Sequence, residues 1–244
     1  KSKKSQKSVK SIKSTVSQVN LAISGSNTAQ KDQVNEDKGS LYHKVFEICY
    51  DKKMNWENVN DKPRLKVWKI RPEGSTLCLI RGWAIIDDTN SDTVFKMIYD
   101  EQIRRKWDTV LADPRVIDKI NDTTDVFYYR FNAPFGITDR DWVTLRTFKK
   151  DYPEKGHYII SFESFQHPKM PPLKGVIRAH TYIAGYILKP SAANPKDCEL
   201  YLITQLDFKG AIPKFALNWG AARGPPDWIN RLKKACQTLG KQVQ

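Results

Sequence analysis

The chain has 244 residues, 40% hydrophobic and 11% aromatic with seven Trp, enough for one large domain or two small ones around a sizeable core. Its formal charge is +14, of which +5 (eight Lys against three acids) falls in residues 1–38, so that +9 belongs to the rest. Scattered cysteines (Cys49, Cys78, Cys198, Cys236) without a C-x-x-C pair, four His without ligand spacing, and no apolar run near the roughly 18 residues of a membrane span argue against a disulfide framework, a metal module and a transmembrane protein.

Residues 1–38 are rich in Lys, Ser, Gln and Asn and lack aromatics. Val9, Ile12, Val16, Val19 and Ile23 recur at spacings of three and four, an amphipathic stripe behind a Lys-rich head. Its β-branched residues and serines disfavour a free helix. The segment reads as a mostly disordered basic tail, or as a helix that lies on a membrane or a partner. The positive excess attracts anionic surfaces, or serves solubility alone.

The folded domain is expected over residues 39–244. Leu41, Val45, Phe46 and Ile48 predict a first helix ending near Asp51. Strands are expected at Trp56–Val59, Leu65–Ile70 and Leu77–Ile86, divided by turn residues. Asn90-Ser91 caps a predicted helix from Asp92 to Trp107, with Val94, Phe95 and Ile98 inward. Five further strands are expected at Val126–Phe131, Trp142–Lys149, Tyr158–Ser164, Val176–Leu188 and Cys198–Phe208. A long helix from Pro213 to Leu239 follows, burying Phe215, Ala216 and Trp219, then Ile229, Leu232, Cys236 and Leu239. Gly224-Pro225-Pro226 is expected to interrupt it, because proline removes a helix donor and crowds the preceding turn. The order gives an α+β fold in which one large helix covers a curved antiparallel sheet.

Within Arg104-Arg105-Lys106-Trp107-Asp108, the four-residue spacing puts Arg104 and Asp108 on one helix face, where they can pair. The segment Asp139-Arg140-Asp141-Trp142-Val143 follows the aromatic strand of Tyr128, Tyr129 and Phe131. A guanidinium near several rings suits a phosphate joined to a quaternary amine, since arginine's fork donates two bonds to phosphate oxygens and aromatic faces attract a cation without N–H groups. The alternatives are an i,i+4 structural salt bridge and core aromatics of a sheet.

These residues carry a resemblance. Arg104-x-x-Trp107-Asp108, Pro134-Phe135 with Arg140-Asp141-Trp142-Val143, Gly175-Val176-Ile177-Arg178, and Ile212-Pro213 with Asn218-Trp219-Gly220-Ala221-Ala222 stand in the order and spacing of the START domain, the steroidogenic-acute-regulatory-related lipid transfer family. The resemblance runs from about Trp56 to Gln237 and is greatest to its phosphatidylcholine-transferring branch. It implies a helix-grip fold of about nine antiparallel strands around the C-terminal helix, enclosing a tunnel for one lipid. It implies that Arg104 contacts the lipid phosphate and that Asp108 holds Arg104. It also implies that Tyr129, Trp142 and Tyr182 form a choline cage. Tyr129 and Trp142 replace Trp and Tyr of the relative, which changes the cage width, and Phe131 replaces a smaller aliphatic and narrows it. Phe215, Trp219 and the Gly224-Pro225-Pro226 break are expected to gate the tunnel, with residues 168–172 as part of a lid. Lys214, Arg223, Arg231, Lys233 and Lys234 are expected to dock against anionic membranes.

The expected function is transfer of one phospholipid, phosphatidylcholine favoured, between membranes, or lipid sensing or tethering without transfer. No G-x-S-x-G, H-E-x-x-H, P-loop or G-x-G-x-x-G motif is present, so neither an enzyme nor a cofactor or metal site is expected. No nucleic-acid recognition module is evident either. A monomer is expected in the cytoplasm, peripheral at membranes. Export after loss of an upstream signal is the alternative, because the chain starts at Lys1 and not at Met.

Overall fold

The computed structural model describes residues 40–133, 136–212 and 214–243, except the side chains of 214–223. The basic tail, Pro134, Phe135 and Pro213 therefore lie outside the described residues, as do the side chains of Phe215 and Trp219.

Helix α1 (Leu41–Tyr50) begins where the Ser40 hydroxyl accepts the His43 amide at 3.2 Å. Strands β1 (Glu57–Lys62), β2 (Leu65–Ile70) and β3 (Leu79–Ile86) form a meander. Helix α2 (Ser91–Tyr99) starts at Asn90, whose side chain accepts the Thr93 amide at 2.8 Å, and buries Val94, Phe95, Met97 and Ile98. The single helix expected here is two. Asp100 accepts the amides of Gln102 and Ile103 at 2.8 and 3.0 Å, ending α2 and capping α3 (Glu101–Trp107). A carboxylate that satisfies two orphan amides makes a new helix start favourable there.

The remaining strands are β4 (Leu111–Asn121), β5 (Thr124–Phe131), β6 (Arg140–Lys150), β7 (Tyr158–Ser164), the short β8 (Ile177–Arg178), β9 (His180–Pro190) and β10 (Cys198–Asp207). The sheet runs β1-β2-β3-β10-β9-β7-β6-β5-β4, antiparallel between neighbours, with β8 pairing β6 in parallel. It is not closed; β1 and β4 are its edges. Strand β4 is absent from the sequence expectation. Asp113 at φ 52° and Pro114 break its alternation, and its pairing with β5 has three register irregularities.

Helix α1 packs on the outer face of the sheet, and α2 and helix α4 (Lys214–Leu239) on the inner face. Glycine permits both approaches. A Cβ at Gly185 would meet the Ile160 carbonyl at 2.5 Å and Val45 of α1 at 2.8 Å, and one at Gly82 would meet Leu202 at 2.8 Å and Ile229 of α4 at 3.5 Å. The inner core joins Ile86, Ile98, Leu188, Leu200 and Leu202 to Ile229 and Leu232 of α4. Each such side chain contributes roughly 1.5–3 kcal/mol by leaving water. The break expected at Gly224-Pro225-Pro226 is not seen. Helix α4 continues through both prolines. Each proline lacks its own donor and crowds the turn before it, but its fixed φ near −65° is itself helical, and the turns on either side carry the helix across.

Candidate functional site

Alternation sorts the strand residues between the two faces. On β5, Val126 and Tyr128 join the outer cluster with Val143 and Met170, which leaves Asp125, Phe127, Tyr129 and Phe131 on the inner face. On β6 the inner residues are Arg140, Trp142, Thr144, Arg146 and Phe148, of which Phe148 packs against the inner core.

Arg104 on α3 and Asp108 just beyond it are both buried, at 7% and 1% exposure. Arg104 Nε and Nη2 lie 3.2 and 3.1 Å from one carboxylate oxygen, Asp108 Oδ2. Arg104 Nη1 reaches the Ile98 carbonyl only at 3.5 Å. The indole Nε1 of Trp228 on α4 donates to the same Oδ2 at 3.0 Å. Trp228 stacks on Tyr186 of β9 with centroids 5.0 Å apart, and its ring is 5.8 Å from that of Trp107. Burial works against the Arg104 charge, but Tyr186, Asp108 and Tyr129 together outweigh it, holding the guanidinium above its ordinary pKa. Burial likewise raises the phenols of Tyr129 and Tyr186, with Arg104 opposing. Both tyrosines keep part of their surface accessible although they belong to the inner face.

Beyond Tyr129 lies an aromatic cluster. Tyr129 stacks on its cross-strand partner Trp142 at 5.3 Å and 10°, Phe131 tilts against Trp142 at 4.7 Å, and Phe208 meets it edge-on at 5.6 Å. Trp142 is fully buried, and its Nε1 has no hydrogen-bond partner among the described residues. The structure thus brings Tyr129, Phe131 and Trp142 together, in direct contact with one another.

Tyr182 is elsewhere. On β9, Ile183 pairs Gln205 and Thr181 pairs Leu206, so Tyr182 is the extra residue of a β-bulge. The bulge turns the Tyr182 ring out to 54% exposure, edge-on to His180 at 4.6 Å. Thr181 takes the buried position that alternation would have given Tyr182. The neighbours of Trp142 have structural partners. Asp141 receives a two-pronged bond from Arg178 (2.7 and 3.0 Å), and Arg178 also bonds the Met170 and Pro171 carbonyls, tying the 168–172 segment to β6. Arg140 is held by the carbonyls of Thr138, Phe208 and Lys209.

Trp228 and Tyr186 are absent from the sequence expectation, and Arg231 enters it only as a membrane-docking cation. Arg231 Nη2 lies 4.0 Å from Asp108 Oδ1. The available signal was the spacing of Trp228 and Arg231, three apart on one helix face and each immediately before a predicted core position, Ile229 and Leu232.

A START domain family model matches residues 40–242. START domain-containing protein 10 of Mus musculus is 30% identical over 184 residues, 75% of this chain and 62% of that protein. The phosphatidylcholine transfer protein of Bos taurus is 23% identical over 187 residues, 76% of this chain and 86% of that protein. The crystal structure of human STARD10 superposes with a TM-score of 0.73 at 27% identity, covering 81% of this chain and 78% of that one. The chain spans under two thirds of the length of the first of these relatives. A match that includes the sheet, the covering helix and the Arg104–Asp108 turn leaves one assignment: the chain belongs to the START domain family.

Proposed function

We propose that this protein binds one phospholipid between its sheet and α4, with Arg104 on the phosphate, and carries it between membranes. The observation that supports this most is the bonding of Arg104. The guanidinium is buried, yet two of its nitrogens converge on one carboxylate oxygen and a third has only a 3.5 Å contact, so donors remain for an anion. A phosphate drawn out of water needs such a partner, because desolvation otherwise expels it. A two-chain lipid carries about 30 methylenes at about 0.8 kcal/mol each, which makes unaided exchange through water slow and an apolar carrier useful. Relatives named for lipid transfer and for phosphatidylcholine support the same reading.

Phosphatidylcholine is the favoured cargo, with other phosphodiester lipids admitted by the same arginine. Tyr129, Phe131 and Trp142 touch one another, so a choline would rest on the accessible surfaces of Tyr129 and Phe131 and not between the rings. Contact with anionic membranes through the exposed cations and the basic tail would bring donor and acceptor within reach. The test is transfer of fluorescent phosphatidylcholine between vesicles. Arg104→Ala is expected to lower the rate at least tenfold with an unchanged circular-dichroism spectrum; transfer at the wild-type rate would refute the phosphate role.

A further inference from the structure

We propose that Arg231 is the second phosphate ligand of this site, supplying from α4 the positive charge that makes the site select a monoanionic phosphodiester. The inference rests on the phospholipid reading above and adds a residue and a charge rule to it.

The first ground is a pair of unpartnered atoms. Asp108 Oδ1 and Arg231 Nε are both buried, and neither has a hydrogen-bond partner among the described residues. Their side chains approach no closer than 4.0 Å, from Arg231 Nη2 to Asp108 Oδ1, beyond hydrogen-bond length but within reach of strong attraction. The open Arg231 Nε is a buried donor that a phosphate oxygen can complete, whereas the open Asp108 Oδ1 is an acceptor that phosphate cannot serve and that is balanced only by the positive charge beside it.

The second ground is charge. Arg104 and Asp108 alone sum to zero, and a neutral pair makes no electrostatic demand for an anion. Arg231, whose side chain is 31% exposed, leaves one surplus positive charge at the mouth of the site, beside a carboxylate that is 1% exposed. One phosphodiester monoanion cancels it. A diacylglycerol would leave the surplus uncompensated, and a phosphomonoester carrying nearly two charges would overshoot it.

The third ground is placement. Among the described cations of α4, Lys233 donates to the Arg64 carbonyl at 3.1 Å and Lys234 is exposed, whereas Arg231 turns toward Asp108. Trp228, one turn earlier, anchors the same stretch of helix to Asp108 Oδ2. Phosphate bound between Arg104 and Arg231 therefore also clamps α4 to α3, so occupancy of the headgroup site and docking of the helix reinforce each other.

The experiment loads the full chain with pyrene-labelled phosphatidylcholine from neutral vesicles and follows release to acceptor vesicles. Diacylglycerol with the same acyl chains runs in parallel. Arg231→Gln is expected to speed phosphatidylcholine release about ten- to hundredfold, the loss expected for a charged hydrogen bond. Diacylglycerol release should change less than threefold, so the retention ratio of the two lipids falls by tenfold or more. That ratio does not depend on the folded fraction. Arg231→Met, which keeps the apolar stem, is the second variant should Gln reduce folding, and the same threshold applies. An unchanged ratio in the folded variant overturns the proposal and makes Arg231 a helix-packing residue. The phospholipid reading fails separately, if wild-type protein takes up no phosphatidylcholine or if Arg104→Ala retains it like wild type.

Discussion

Arg104–Asp108 and Arg146–Asp125 are the same two residue types, all four buried, and they differ in how completely they are bonded. Arg146 donates from Nε and Nη2 to the two oxygens of Asp125 at 2.9 and 2.6 Å, and from Nη1 to the Tyr99 carbonyl at 2.7 Å. Tyr99 and Phe127 cover its two faces at 3.8 and 4.2 Å, and the Tyr99 hydroxyl adds a bond to Asp125 at 3.0 Å. Every nitrogen of that guanidinium and both oxygens of that carboxylate have a protein partner, and rings cover both faces. At Arg104 both close contacts fall on one oxygen, and the other oxygen of Asp108 has no hydrogen-bond partner among the described residues. The saturated pair fastens α2 to the sheet. The unsaturated pair keeps donors on Arg104 without a close partner, which is what the proposed phosphate would need.

The largest effect should therefore come from the pair without a binding role. Arg146→Ala leaves Asp125 buried with Tyr99 as its remaining side-chain donor, and breaking such a pair costs about 3–5 kcal/mol. For a domain of this size the thermal midpoint should fall by roughly 6–20 °C, read by circular dichroism. Arg104→Ala should cost less, about 1–2 kcal/mol, because Asp108 keeps the Trp228 indole at 3.0 Å and Arg231 at 4.0 Å, while phospholipid uptake is lost. A drop for Arg104→Ala as large as for Arg146→Ala would erase the distinction and make both pairs structural.

Part of this contrast is legible in the sequence. The four-residue spacing of Arg104 and Asp108 announces their pairing, and apolar alternation announces most of the strands. Asp125 and Arg146 share the inward parity of Phe127 and Trp142, so a charge on each of two inner-face positions already calls for a partner; alternation read for hydrophobes alone passes over it. Tyr182 shows the opposite limit. Its parity before the bulge is inward, and a single extra residue, without a Gly or Pro to mark it, turns it out. The prolines of α4 mislead for a related reason, since their local penalty is real but the contacts of Ile229 and Leu232 with the sheet dominate. Residues that meet only in three dimensions, such as Trp228 and Asp108 across 120 positions, leave no local trace.

The finest division of the comparison is Trp228, which meets Asp108 through one neutral donor and the rest of the core through its ring. Trp228→Phe removes the Nε1 bond but keeps an aromatic face against Tyr186 and Trp107. Both Arg104 contacts to Asp108 Oδ2 survive, so the carboxylate is weakened and not orphaned. The expected loss is about 1 kcal/mol, a midpoint shift of roughly 2–4 °C. Because an indole contributes no charge to the site, the ratio of phosphatidylcholine to diacylglycerol retention should stay within about threefold of wild type. Such a result would show that charge around Asp108 selects the lipid while the neutral bond only seats the helix. A collapse of that ratio in Trp228→Phe would instead place selectivity in the docking of α4, and the bonding state of Asp108 would no longer separate a ligand site from a structural pair.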